Sequence, residues 1–186
     1  MALPFEFCIE CGANKQDAEL MLLHFSQLSF QLLTETICEF NLSLWQDGSQ
    51  NWWCEMHPKN LTNSGVRTVK DAVELSEVGL RLYHRLLTAP NFRIALIGFD
   101  VGDMWSISEL RNYINHFHDG SKSLRFRGLV LRKNVWEELG MPEAFWSRFK
   151  VGYIWQSYEG ETYNPVRAAD GFGEELYLLQ EQLKEK

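Results

Sequence analysis

The chain has 186 residues, of which 45% are hydrophobic and 23% are charged, and its formal net charge is −7 at pH 7. This composition is typical of a folded globular protein and excludes a disordered chain. The negative charge would repel a phosphate backbone, so it argues against a nucleic-acid partner.

The sequence predicts neither a secretory signal nor a membrane span. The first residues lack both a basic start and an apolar run. The longest apolar stretch, at 94–99, is far shorter than the roughly 20 residues that a bilayer helix needs. We therefore expect a cytoplasmic protein whose four cysteines, Cys8, Cys11, Cys38 and Cys54, are reduced thiols.

Alternation of apolar and polar residues predicts the strands. The segment 92–101 is almost continuously apolar, which is typical of a central strand covered on both faces. Asp47 and Gly48 form a turn that would join two strands as a hairpin. We predict strands at 4–9, 38–45, 51–56, 92–101, 125–132 and 151–158.

Apolar residues at helical spacing, together with capping residues, predict the helices. Thr68 and Asp71 have the spacing of a capping box, and Pro90 stops the helix that follows them. The segment 14–33 is apolar over much of its circumference, so we expect a long helix in the core. We predict helices at 14–33, 68–87, 106–116, 134–140, 142–149 and 174–186.

Strands and helices are intermixed in this order, and a hairpin is included. The order therefore favours an α+β fold over a purely parallel α/β sheet. We expect a mixed sheet of about five or six strands, packed with helices in a single compact domain that spans 1–186. The loop at 58–67 is the place where a sub-boundary could fall.

Two pairs of sulfur and nitrogen ligands suggest a structural zinc site. Cys8 and Cys11 stand three residues apart, and Cys54 and His57 repeat that spacing. Together they would form a closed Cys₃His site. The 42 residues between Cys11 and Cys54 are more than compact zinc modules usually place between their pairs. Because free cysteines are often buried, four small core side chains are the alternative.

A second metal candidate combines His116 and His118 with Asp100 at the end of a predicted strand. Alternate histidines on an extended chain point the same way, and a bound water would complete a hydrolytic site. The alternative is a helix C-terminus whose histidines interact favourably with the helix dipole, followed by a turn at Asp119 and Gly120.

Two further segments are candidate partner-binding surfaces. Trp155, Tyr158 and Tyr163 belong to an aromatic-rich segment that could recognise a partner or close the core. Arg125 and Arg127 lie in a basic stretch that could dock an acidic partner or a nucleic acid, or form the solvated face of one strand.

The chain thus has many aromatic and aliphatic residues that would pack in a core, and few polar residues at spacings that suggest a catalytic site. Our first interpretation is a non-catalytic protein-interaction or regulatory module of the antitoxin or immunity type, which needs a protein partner and no cofactor. The alternatives are a metal-dependent hydrolase using the His-x-His and Asp100 site, and a binding module stabilised by structural zinc.

Overall fold

The computed structural model describes residues 4–61, 65–99, 101, 107–116, 127–141, 146–161, 178 and 181–182. In this part of the chain, the strands are β1 (Phe5–Gly12), β2 (Ser29–Gln31), β3 (Ile37–Gln46), β4 (Trp52–Pro58), β5 (Ile94–Phe99), β6 (Val130–Arg132), β7 (Ser147–Lys150) and β8 (Tyr153–Trp155). The helices are α1 (Lys15–Phe25), α2 (Val69–Leu86), α3 (Ile107–His116) and α4 (Lys133–Leu139).

The eight strands form one sheet in the order β2-β3-β4-β1-β5-β6-β8-β7. All the strand pairings between neighbours in this sheet are antiparallel. The α+β class is confirmed, but the predictions of a mixed sheet and of five or six strands were wrong. The six predicted strands correspond to β1, β3, β4, β5, β6 and β8, and the two missed strands are the two edges of the sheet.

Strand β1 lies inside the sheet, between β4 and β5, and every residue in it is buried. Successive side chains of a strand point to opposite faces. We call the side of Phe5, Phe7 and Ile9 the back face, and the side of Glu6 and Cys8 the front face. The back face is apolar and packs against α1 and α2 in the main core. On the front face, a second apolar cluster joins β5, β6, α3 and α4.

The buried Tyr83 of α2 is the centre of the aromatic core on the back face. Its ring centroid lies 5.4 Å from that of Phe7, 5.5 Å from that of Trp155 and 5.3 Å from that of Tyr158. Its hydroxyl donates to the carbonyl of Gly128 at 2.7 Å and accepts from the Ile97 N–H at 3.1 Å. This one phenol therefore links α2 to β5 and to the turn before β6.

The helix predicted at 14–33 ends at Phe25, and Ser29–Gln31 forms edge strand β2 instead. Ser26 ends the helix, because its hydroxyl donates to the Leu23 carbonyl at 2.8 Å. Gln27 then has φ 60°, which turns the chain out of the helical direction.

Other helix predictions had different outcomes. The Thr68–Asp71 capping box is confirmed, with both reciprocal hydrogen bonds present, and α4 ends at Gly140 with φ 66°. The helix predicted at 142–149 was wrong in its second half, since Ser147–Lys150 forms β7; residues 142–145 lie outside the described part. Most of the helix predicted at 174–186 also lies outside the described part of the chain.

Within the described residues, no helix combines the length and apolar character that a bilayer span requires.

Gly79 allows α2 to approach the ring of Tyr158, and this contact gives a test of the core. A Cβ at position 79 would lie 2.5 Å from a ring carbon of Tyr158, whereas a Cβ at Gly48 would meet nothing within 4 Å. We expect Gly79→Ala to lower the free energy of unfolding by about 1–3 kcal/mol through overpacking, despite the better helix propensity of alanine. Urea unfolding measures the change, and Gly48→Ala is the control. Equal stability of the two variants would contradict this packing.

Candidate functional site

The polar candidate site lies on the front face, where β1 pairs with β4. Cys8 stands opposite Glu55, and Phe7 stands opposite Met56, so Glu6 lies beside His57. Side chains that are directly opposite in an antiparallel pair share a face and approach closely. The register of two strands therefore gathers two carboxylates, an imidazole and a thiol on one side of the sheet.

His57 bridges the two carboxylates. Its Nε2 lies 3.1 Å from Oε1 of Glu55, and its Nδ1 lies 4.0 Å from Oε1 of Glu6. The side chain of Glu6 is 7% exposed, that of Glu55 is 16% exposed, and that of His57 is 34% exposed. Solvent exposure thus increases across the site, from the buried carboxylate of Glu6 to the imidazole of His57, which solvent can reach.

Among the residues that the structure describes, Glu6, Glu55 and His57 bring one ligand atom each within 4.8 Å of one another. Carboxylate and imidazole ligands bind Zn²⁺ at about 2.1 Å, which places tetrahedral ligands roughly 3.4 Å apart. The contact between His57 and Glu55 is already near this separation. Small side-chain rotations would bring the third ligand into range.

Cys8 adjoins this group on the front face, and its thiol is not activated. Burial raises its pKa, and the neighbouring carboxylates of Glu55 and Glu6 raise it further. The side chain packs in a small apolar cluster with Trp53 and Val101. A neutral thiol is a weak nucleophile, so this position acts in packing.

The predicted Cys₃His ligands are not brought together. Cys8 points to the front face with His57, whereas Cys11 and Cys54 belong to the apolar core of the back face. Burial raises the pKa of Cys54 to about 12 and raises that of Cys11 as well. His57 is the one member of the predicted set that lies in the three-ligand group.

The second predicted metal set falls largely outside the described residues. Asp100 and His118 are not described, and His116 ends α3 with its side chain outside the described part. This site therefore stays a prediction.

Of the three aromatic candidates for partner recognition, the two that the structure describes lie in the core. Trp155 and Tyr158 are each 2% exposed, and both pack against Tyr83. The hydroxyl of Tyr158 donates to Oε1 of Glu161 at 2.9 Å. Tyr163 lies outside the described residues. For the two described residues, packing is the role that the structure gives them.

Of the two basic candidates, Arg127 is described and Arg125 is not. Arg127 is exposed, and its guanidinium lies 3.1 Å from Oε2 of Glu159. An ion pair between such exposed side chains contributes little to stability. Arg127 therefore remains accessible to solvent.

A third front-face acid, Glu10, has an incompletely satisfied carboxylate. Its Oε1 lies 3.1 Å from the Arg93 guanidinium and accepts from the Gly12 N–H at 3.1 Å. Its Oε2 is buried and has no hydrogen-bond partner among the described residues. Burial raises the pKa of Glu10 from 4.5 to about 7, against the opposing effect of Arg93.

Sequence reasoning missed Glu6 and Glu55 as site residues. Glu55 and His57 stand two apart within a strand, so they share a face, and this spacing was a usable signal. Glu6 is distant in sequence and joins them only through the register of β1 and β4. That register cannot be read from either strand alone.

Comparisons of the chain with protein-family models, with curated proteins and with solved structures gave no match. A function for this chain therefore has to be inferred from the geometry of the site itself.

Glu10 makes stability depend on pH in a defined direction. Its folded-state pKa is raised, so the folded protein favours the protonated form and loses stability as pH rises from about 4.5 to about 7. We expect Glu10→Gln to lack this loss. The stability of the wild type relative to the variant should fall by about 3 kcal/mol between pH 4.5 and pH 8.

Urea unfolding at both pH values measures this difference. Glu19→Gln is the control, because the Glu19 side chain is 54% exposed and pairs with Lys15 on the helix surface. A difference between wild type and Glu10→Gln that stays constant with pH would show that Glu10 titrates normally.

Proposed function

We propose that this protein binds a divalent transition-metal ion through Glu6, Glu55 and His57. The observation that carries the proposal is the convergence of two carboxylates and an imidazole from two adjacent strands, with their ligand atoms within 4.8 Å. Both strands belong to the interior of the sheet, so the backbone positions of the ligands are held by pairing on each side.

The ligand types define the class of metal. One nitrogen and two oxygen ligands suit Zn²⁺, Mn²⁺, Fe²⁺ or Co²⁺, whereas Ca²⁺ and Mg²⁺ prefer all-oxygen sites. Two carboxylates also offset the charge of a divalent ion in this buried setting. Three protein ligands leave coordination positions for water, which is the arrangement of open rather than structural sites.

Protons compete with the metal for this site. A metal binds the imidazole and the carboxylates only in their deprotonated forms, so protons and metal compete for the same ligand atoms. Affinity should therefore weaken as pH falls.

Two expectations from the sequence remain part of the proposal in altered form. The zinc hypothesis keeps His57 but takes carboxylates in place of the cysteines, and the site becomes open instead of closed. Cytoplasmic localisation is supported by the four cysteines, which are all free thiols in the structure. The hydrolase with His116, His118 and Asp100 remains a separate hypothesis.

Metal binding is tested by calorimetric titration of chelator-treated protein with ZnCl₂ and with MnCl₂. We expect one equivalent to bind to the wild type. His57→Gln and Glu55→Gln should each weaken binding by more than about tenfold, because each removes a ligand. The control is Glu39→Gln, which removes an exposed carboxylate of β3 that pairs with Lys59.

A second readout separates lost ligands from lost folding. Co²⁺ bound by the wild type should give a visible absorption spectrum that changes in His57→Gln, while circular dichroism shows that the variant is folded. Stoichiometric binding that is unaffected by replacement of each of the three ligands would place the metal elsewhere. No binding of any of these ions to the wild type would end the proposal.

A further inference from the structure

Pairing on both sides of β4 arranges the front face in rows of side chains that cross the strands. One row contains Glu6 and His57, and the next contains Cys8, Glu55 and Ser43. Neighbouring strands lie about 4.8 Å apart, so each side chain in a row can contact the next one. Glu55 therefore has the thiol of Cys8 on one side and the hydroxyl of Ser43 on the other.

The two carboxylate oxygens of Glu55 have different neighbours. Oε1 lies 3.1 Å from Nε2 of His57, whereas Oε2 accepts a hydrogen bond from the Ser43 hydroxyl at 3.4 Å. The oxygen beside His57 is the one placed to share a metal ion with the imidazole. A carboxylate whose second oxygen is held by a hydrogen bond gives the ion one ligand atom instead of two.

Ser43 lies outside the main core, so its hydroxyl can act on Glu55 without a part in packing. The apolar side chains of β3 that belong to that core come from even-numbered residues such as Leu42 and Leu44. Ser43 is exposed on the other face of the strand. Removal of its hydroxyl should therefore leave the fold intact and release Oε2 of Glu55.

An apolar cluster borders the site on the side of β1 and β5. It consists of the buried side chains of Cys8, Trp53 and Val101. Gly98 of β5 stands opposite Glu6, and a Cβ at Gly98 would lie 3.1 Å from Cγ1 of Val101, so the valine covers this position. Apolar side chains offer water no hydrogen bonds, so this border favours few water ligands on a bound ion.

Coordination number separates the candidate metals. Zn²⁺ is commonly satisfied by four ligands, which in open sites are three protein groups and one water, whereas Mn²⁺ prefers about six ligands. A site that takes one oxygen from Glu55 and has an apolar border provides few ligands. It therefore suits the four-coordinate ion better.

We propose that Ser43 selects Zn²⁺ over Mn²⁺ by holding Oε2 of Glu55 away from the metal. This inference rests on the proposed metal binding, and it adds which ion the site takes. Without the hydroxyl, Glu55 can turn both oxygens to the ion, which favours the metal with the higher coordination number. Ser43 is thus a positioning residue that sets specificity, and it is not itself a ligand.

Ser43→Ala tests this selection. Partners of metal ligands typically change affinity by roughly ten- to hundredfold, and a long, exposed hydrogen bond belongs at the lower end of that range. We expect the Zn²⁺ dissociation constant to rise by about tenfold and that of Mn²⁺ to change little. Ser43→Thr keeps the hydroxyl, so it should keep the wild-type ratio of the two constants.

Calorimetric titration of chelator-treated protein with ZnCl₂ and with MnCl₂ measures both constants. Ser29→Ala is the matched control, because it removes an exposed serine hydroxyl from strand β2 of the same sheet. The ratio of the two constants should be the same in this control as in the wild type. Urea unfolding of the metal-free variants should show equal stability for Ser43→Ala and Ser29→Ala.

Co²⁺ gives a second readout that a purely structural role of Ser43 would not change. Four-coordinate Co²⁺ absorbs visible light much more strongly than six-coordinate Co²⁺. At saturating cobalt, the wild type and Ser43→Thr should therefore give an intense spectrum. Ser43→Ala should give a weaker one, because the second oxygen of Glu55 raises the coordination number.

The possible outcomes separate this inference from the metal proposal. A wild type that binds none of these ions ends both. If the wild type binds Zn²⁺, but the Zn²⁺ to Mn²⁺ ratio and the cobalt spectrum are unchanged in Ser43→Ala, the selection is overturned and the metal site stands. An equal loss of affinity for both ions also overturns the selection, because the hydroxyl then supports the site without choosing the metal.

Discussion

The register of β1 against β4 is the constraint on which the rest of this structure depends. Alternation along β1 sends Phe7 and Ile9 into the apolar core and sends Glu6 and Glu10 to the opposite face. A slip of one residue would reverse both faces, burying carboxylates among the helices and exposing phenylalanines. The energy of the apolar core therefore holds the register that also assembles the polar site.

The interior of the sheet could be predicted from sequence, and its edges could not. The inner strands β3 and β5 have long alternating or apolar patterns, which the sequence shows directly. The edge strands β2 and β7 have three and four residues, which is too short for a period to emerge. The antiparallel direction was also hidden, since it depends on which strands become neighbours.

The type of secondary structure also decides whether the predicted cysteine ligands come together. A spacing of three residues brings two side chains together on a turn or a helix, but in a strand it places them on opposite faces. Cys8 and Cys11 lie within the one strand β1, so the spacing that suggested zinc separates them. A spacing of two, as in Glu55 and His57, is the one that gathers ligands on a strand.

The buried acids of this protein differ in how their charge is compensated, and the difference singles out one site. Glu77 is fully buried, pairs with Arg81 at 2.6 Å and accepts from the Leu33 N–H at 2.8 Å. These donors stabilise the fold, because removing them would leave the buried carboxylate without a partner. Glu6 and Glu55 instead lie beside the imidazole of His57, a group that can also ligate a metal. Among the described buried acids, Glu77 pairs with a guanidinium, which cannot bind a metal, whereas Glu6 lies beside an imidazole, which can; the metal proposal rests on this difference.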